Sequence, residues 1–386
     1  MKLPKLTFWR LVFAAVCVAG LAATWVRVTG GLGASTNLTN DFPWGLWIGF
    51  DMLCGVGLAA GGFTITATVY LLNLERFRPI VRPTVLTAFL GYLLAIFALL
   101  FDLGRPFVIW HPLVMRNPNS VMFEVAMCVM LYTTVLALEF APAVLERFHL
   151  VRVVRIIKMV SVPLVLMGVI LSTLHQSSLG SLFLIVPHRL HPLWYTPLLP
   201  AFFFISAIGA GLAMVIFESF LSYRAFRKQI ELPLLREIAR VLVVVLAVYL
   251  VLRFEDLGVR HVTALLWQSR PETWFFWMEV LIGGFVPLAL LAIPKVRASS
   301  GGLFLSSVLV VLGFVTNRLN VSFTGLQASA ATPYFPKWPE IAITLFLVGL
   351  GFAIFSLAVK YLPIYTPVHE PTQPETEKKE EVAVAA

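Results

Sequence analysis

Four ionisable side chains stand inside, or at the ends of, long apolar stretches of this 386-residue chain. A charge placed there is costly in lipid, which makes each a candidate for function. Asp51 lies about two helical turns into one stretch and Glu124 little more than one turn into another, at a rise of about 1.5 Å per residue. Asp102 closes a third stretch and His175 ends a fourth. The reading places all four at one depth, beneath the outer surface. Taken singly, each has a plainer explanation. Asp102 beside Gly104 and Arg105 reads as a helix end with a local ion pair, and His175 as a cap on its own helix. Asp51 and Glu124 read as buried structural hydrogen bonds. Taken together, carboxylates, an imidazole and hydroxyl donors in a pocket open to lipid suit quinone redox chemistry. Reducing a quinone takes two electrons and two protons, so its carbonyls need hydrogen-bond donors and titratable groups must carry protons to a site that lipid seals. His175, Gln176, Ser177 and Ser178 form a compact donor cluster, and Tyr195, His188 and His191 follow in the same outer region.

The electrons must come from elsewhere. A membrane-embedded haem needs axial histidines facing one another. Six of the seven histidines lie outside the apolar stretches, and only His175 stands at the end of one. The three cysteines, Cys17, Cys54 and Cys128, are isolated and read as packing residues, with no pairing for an iron–sulfur cluster or a zinc ion. The expectation is no haem, no cluster and no metal site in this chain, with electrons delivered by a partner docked on the outer side. Glu139 and Glu218, near the cytoplasmic ends of their stretches, read either as residues snorkelling toward Arg or as a proton path from the cytoplasm.

The elements that position these groups are membrane helices. With 59% hydrophobic and 13% charged residues, the chain has too little polar surface for a soluble domain. The fold class is all-α and polytopic, and continuous apolar runs argue against a β-barrel. Ten spans are predicted: Phe8–Val28, Trp44–Leu72, Thr84–Leu103, Ser120–Phe140, Val153–His175, Tyr195–Tyr223, Leu235–Glu255, Thr273–Ile293, Leu303–Leu319 and Ile341–Leu362. The first could instead be a secretory signal, but its apolar run is longer than a signal core, and it is read as retained. The net charge of +9 is no nucleic-acid signal, because Lys and Arg follow alternate loops. By the positive-inside rule both termini are cytoplasmic in a bacterial inner membrane. The tail from residue 367, rich in Glu, Lys, Pro and Thr, reads as disordered. The second span is rich in glycine and is expected at the centre of a bundle. Phe123-Glu124-Val125 and Met278-Glu279-Val280 form a faint internal echo, which suggests two related four-helix bundles with the first and tenth spans outside them.

Several motifs are specific enough to identify a resemblance. Phe42-Pro-Trp-Gly-Leu-Trp-Ile-Gly-Phe-Asp51, Asn119-Ser-Val-Met-Phe-Glu124, His175-Gln-Ser-Ser-Leu-Gly-Ser181, His191-Pro-Leu-Trp194 and Phe276-Trp-Met-Glu279 resemble the NrfD/polysulfide-reductase membrane-subunit family. They are most similar to its HybB-type branch, the membrane subunit of periplasm-facing nickel–iron hydrogenases. The resemblance runs from about Phe42 to Pro363. It implies two four-helix bundles plus two flanking helices. The flanking helix and outer loop would occupy 1–41, the bundles 42–194 and 195–338, and the second flanking helix 339–366. It also implies no haem, menaquinone bound in the outer half of the first bundle, and a periplasmic ferredoxin-like iron–sulfur subunit joined to hydrogenase small and large subunits. In the family an acidic residue matching Glu124 is implicated in proton transfer, and Asp51, Asp102 and His175 match positions lining the same region. Arg105 would hold Asp102 or an acidic loop of the partner. Related complexes use multihaem-cytochrome or molybdopterin partners. Two other classes compete: a secondary transporter using the same carboxylates, and an anchor with no quinone site.

Overall fold

The computed structural model describes residues 7–186, 189–226 and 231–365. The expected disordered tail, His188, and Arg227 and Lys228 of the basic loops lie outside the described residues. No strand occurs among the described residues. Nine helices there are long and apolar enough to cross a membrane: α1 Phe8–Ser35, α2 Trp47–Tyr70, α3 Glu75–Asp102, α4 Val121–Arg147, α5 Ser161–Ile185, α6 Leu199–Phe226, α8 Pro271–Ala292, α9 Ser300–Gln327 and α10 Trp338–Tyr361. Between α6 and α8 lies α7, Leu232–Val259, which matches the longest of them at 28 residues. It carries Arg236, Glu237 and Arg240 at one end and Arg253, Glu255 and Asp256 at the other, leaving an apolar middle. The chain is a multi-pass integral membrane protein.

Helix ends follow local rules. Ser120 caps α4 by accepting the Phe123 amide, and Glu124 in the first turn complements the helix dipole. Proline occupies the first turn of α7, α8 and α10, and Pro79 the first turn of the α-helical part of α3, which starts at Arg78 after a 3-10 turn, where no intrahelical donor is lost. The basic residues Arg76, Arg82, Arg147, Lys158, Arg224, Arg236 and Lys360 gather at one end of the helices, hereafter the basic end; Asp102, Glu124 and Glu272 mark the opposite, upper end.

Packing forms two closed rings: α2 meets α3, α3 meets α4, α4 meets α5 and α5 returns to α2, while α6, α7, α8 and α9 close in the same way. The rings join through α6 against α2 and α5. Outside them, α1 pairs with α10, and α10 lies on α3. The glycine-rich α2 is central, with 72% of its apolar window buried, against 17% for α1 and for α10. Two backbone crossings depend on glycine. A Cβ on Gly211 of α6 would lie 2.3 Å from the Gly61 nitrogen of α2, and one on Gly313 of α9 would lie 1.9 Å from the Gly283 Cα of α8. Backbone cannot yield as a side-chain tip can. Gly313→Val is therefore expected to cost at least about 1–3 kcal/mol through overpacking. Thermal unfolding of the solubilised protein would detect this, and an unchanged midpoint would refute the tight crossing.

Candidate quinone site

A cavity of about 570 Å³ opens between α2, α3, α6, α9 and α10. Its walls are mostly apolar, including Leu58, Leu90, Leu94, Phe217, Val311 and Phe352. Along α6 it runs from Met214 to Phe226, which at 1.5 Å per residue is about 18 Å of the helix axis. Phe352 of α10 stands at its rim with 59% of its surface exposed, so the cavity communicates with the lipid face.

Two buried carboxylates line it. Asp51, near the upper end, accepts a hydrogen bond from Thr344 Oγ1 of α10 at 2.6 Å. Glu218, toward the basic end, accepts one from Thr87 Oγ1 of α3 at 2.6 Å. Buried carboxylates are stable only when hydrogen-bonded, and here each has one hydroxyl donor from a neighbouring helix. Arg224 lies below Glu218 at the basic mouth.

His175 occupies a different place. It is fully buried inside the first ring, with Nδ1 2.8 Å from the Tyr92 hydroxyl of α3. Gln176 donates from Nε2 to the Val56 carbonyl of α2 at 3.1 Å. His175 Nε2 and Gln176 Oε1 are buried with no protein partner. Ser177 bonds back to the Thr173 and Leu174 carbonyls of its own helix, both at 2.9 Å, and so offers no donor elsewhere. Tyr195, within the α5–α6 connector, packs half-buried against the core.

The four groups expected at one pocket are therefore divided. Only Asp51 lines the large cavity; His175 faces the interior of the first ring; Glu124 is exposed at the first turn of α4. Asp102, at the upper end of α3, keeps one buried carboxylate oxygen without a partner. Its neighbouring cation is also not the expected one. Arg105 is exposed and forms no ion pair among the described residues, whereas Arg27 of α1 lies within electrostatic reach of Asp102. Arg27 also caps α3, donating to the Phe101 and Leu103 carbonyls at 2.7 Å each. A cation inside the first apolar run was the available signal for this contact. Glu139 opens onto a separate cavity of about 100 Å³ at the basic end, shared with Arg82 and Lys158, both of which pair with Glu146. The snorkelling arginine contact expected for Glu139 goes to Glu146 instead.

In the upper connector, outside the spans, His191 has its pKa lowered, first by burial and further by Arg270, with Glu272 opposing. Glu279 of α8 belongs to a polar network that sequence reasoning did not find. It is 4% exposed and accepts hydrogen bonds from Trp194 Nε1, Asn317 Nδ2 and Asn320 Nδ2 at 2.9, 2.6 and 2.9 Å. The sequence echo of Glu124 and Glu279 thus joins one exposed and one enclosed carboxylate.

Among the described residues no group of three or more His, Cys, Asp and Glu is arranged to hold a metal ion. His175 is the one histidine within a described span, with Nδ1 held by the Tyr92 hydroxyl.

Comparison with known proteins agrees with this architecture. Residues 34–330 match the family described as polysulphide reductase, NrfD. The chain is 34% identical to the probable Ni/Fe-hydrogenase 2 b-type cytochrome subunit of Escherichia coli, covering 93% of each protein. It is 28% identical to the integral membrane subunit of menaquinone reductase from Nitratidesulfovibrio vulgaris, over 94% of this chain and 93% of that protein. A selenate reductase subunit of Mesobacillus selenatarsenatis is 25% identical over the full length of both. Matched through both rings, and alike from end to end to these subunits, the chain belongs to the NrfD family.

Proposed function

We propose that this chain is the quinone-reactive membrane subunit of a respiratory oxidoreductase, exchanging electrons between an iron–sulfur subunit on its upper face and menaquinone. One observation carries the reading. The large apolar cavity has room for a quinone ring and part of an isoprenoid tail, and a buried carboxylate, Asp51, lines its upper end. The names of the menaquinone reductase and hydrogenase relatives support the substrate and the kind of complex. The partner this reading favours is a nickel–iron hydrogenase, on the strength of the 34% identical relative. The basic end faces the cytoplasm of a bacterial inner membrane, with both termini on that side.

The chain's own residues then divide the work. The apolar walls hold the quinone and exclude bulk water. Asp51 exchanges protons with the ring oxygens, and Thr344 fixes its orientation. Two electrons from the partner and two protons convert quinone to quinol, or the reverse releases them. Glu218 faces the same cavity from the basic side and connects it to cytoplasmic protons. Asp51 takes the headgroup contact in place of His175, because only Asp51 lines the cavity. Glu124, exposed on the upper face, is a proton acceptor on that side.

Purification of the chain in mild detergent, with mass-spectrometric identification of its stoichiometric companions, tests the partner. Hydrogenase and iron–sulfur subunits support it; a molybdopterin or multihaem partner changes the substrate and keeps the quinone role. The cavity is tested separately. Leu94→Trp fills it from α3 and is expected to raise the quinone KM about tenfold, the effect of a steric cost of about 1–3 kcal/mol. An unchanged KM in an assembled complex would place the quinone elsewhere.

A further inference from the structure

Three helices contain a widened π-turn, in which a backbone N–H bonds back five residues. Leu53 bonds to the Ile48 carbonyl in α2, Val286 to Leu281 in α8, and Gly325 to Asn320 in α9. Such turns carry an extra residue and concentrate at functional sites. Asp51 lies within the first, Trp47–Met52, and the third, Asn320–Thr324, packs directly against it. The fit is close, since a Cβ on Gly49 would stand 2.5 Å from Ser322 Oγ and 3.1 Å from the Phe323 ring. Ser322 cannot swing away freely, because its hydroxyl donates to the Arg318 carbonyl at 2.8 Å.

Behind the third turn stands Glu279. Its carboxylate takes the side-chain amides of Asn317 and Asn320, which flank the entry to that turn, together with the Trp194 indole. Asn317 passes the contact on: its Oδ1 accepts from Arg318 Nη1 at 2.6 Å, and the Arg318 guanidinium lies over the Phe203 and Phe314 rings. Three N–H donors converge on two oxygens. A neutral amide in that place would present N–H to N–H and leave a buried donor without an acceptor.

We propose that Glu279 is a positioning residue for Asp51, acting through Asn320 and the two interlocked π-turns of α9 and α2. The link runs from the second ring into the wall of the cavity without touching quinone. It rests on the reading of Asp51 as the quinone-facing carboxylate, and the experiment separates the two.

The test uses the complete complex in its native membranes, treated with dicyclohexylcarbodiimide, a carboxyl reagent that partitions into lipid. Modification rates at Asp51 and Glu218 are followed by peptide mass spectrometry. In Glu279→Gln the Asp51 rate is expected to rise about two- to tenfold, the change controlled by one hydrogen bond of ordinary net strength. Glu218, in the same cavity but held by Thr87, keeps its parental rate. Gly49→Ala, which pushes the two turns apart, should reproduce the effect, and Gly49→Ala combined with Ser322→Gly should reverse it. If Glu279→Gln does not accumulate, Asn320→Ala, which removes the amide that joins Glu279 to the turn, is read in its place beside the Gly49 pair. An unchanged Asp51 rate in folded variants, or an equal rise at Glu218, overturns the proposal. A changed Asp51 rate with unaltered quinone-linked turnover keeps the positioning role and overturns the quinone reading instead.

Discussion

Asp51→Asn is expected to lower quinone-linked turnover by roughly 10²–10⁴-fold, the usual contribution of a positioned acid–base group, while the complex still assembles. The substitution is nearly isosteric. The asparagine carbonyl can still accept the Thr344 hydroxyl that now bonds Asp51 Oδ2 at 2.6 Å, so the wall of the cavity keeps its shape. What disappears is a group that takes up and releases a proton. Turnover with a soluble menaquinone analogue, measured beside the partner's activity with an artificial electron acceptor, separates the two functions. The second activity should persist. Parental quinone turnover in the assembled variant would remove Asp51 from the chemistry.

Glu218→Gln should act on a different quantity. Glu218 and Asp51 line one cavity, Glu218 toward the basic end and Asp51 toward the upper end. If protons for the quinone enter through Glu218, they cross part of the membrane against electrons arriving from above, and turnover generates a potential. The glutamine can retain the Thr87 hydroxyl as a donor to its carbonyl. It cannot relay protons. In sealed vesicles the variant is expected to lose the turnover-dependent membrane potential, with the partner's own activity intact. A parental potential would assign proton entry to another route, for which Glu139 and its cavity at the basic end are the next candidate.

The helices were legible because lipid demands continuous apolar runs, and the central place of α2 was legible from its glycines. The expected run over Leu235–Glu255 is likewise a helix, α7, although with its terminal charges it is not among the nine helices apolar enough to cross a membrane. The site was less legible. Asp51 and His175 were assigned to one pocket on depth alone, but depth does not fix which face of a helix a residue occupies. Gln176, next to His175, bonds the carbonyl of Val56, five residues after Asp51 and so about 140° away on a regular helix. The π-turn at Trp47–Met52 shifts that register again, and no local pattern announced it. Thr344 and Arg27 were missed for a related reason. Each meets its partner only through helix packing, across 293 residues for Thr344 and Asp51 and across 74 for Arg27 and Phe101. By contrast, Glu218 was marked by its carboxylate inside an apolar run, a signal that holds wherever the helix turns.

The order of synthesis adds a meaning to the placement of α10. Both rings of helices are complete in chain order before α10 emerges, yet α10 supplies Thr344 to Asp51 and one wall of the cavity. During biogenesis, a protein with both rings assembled would still present Asp51 without its hydroxyl partner on a side open to lipid. Insertion of α10 is thus the event that finishes a site begun by α2.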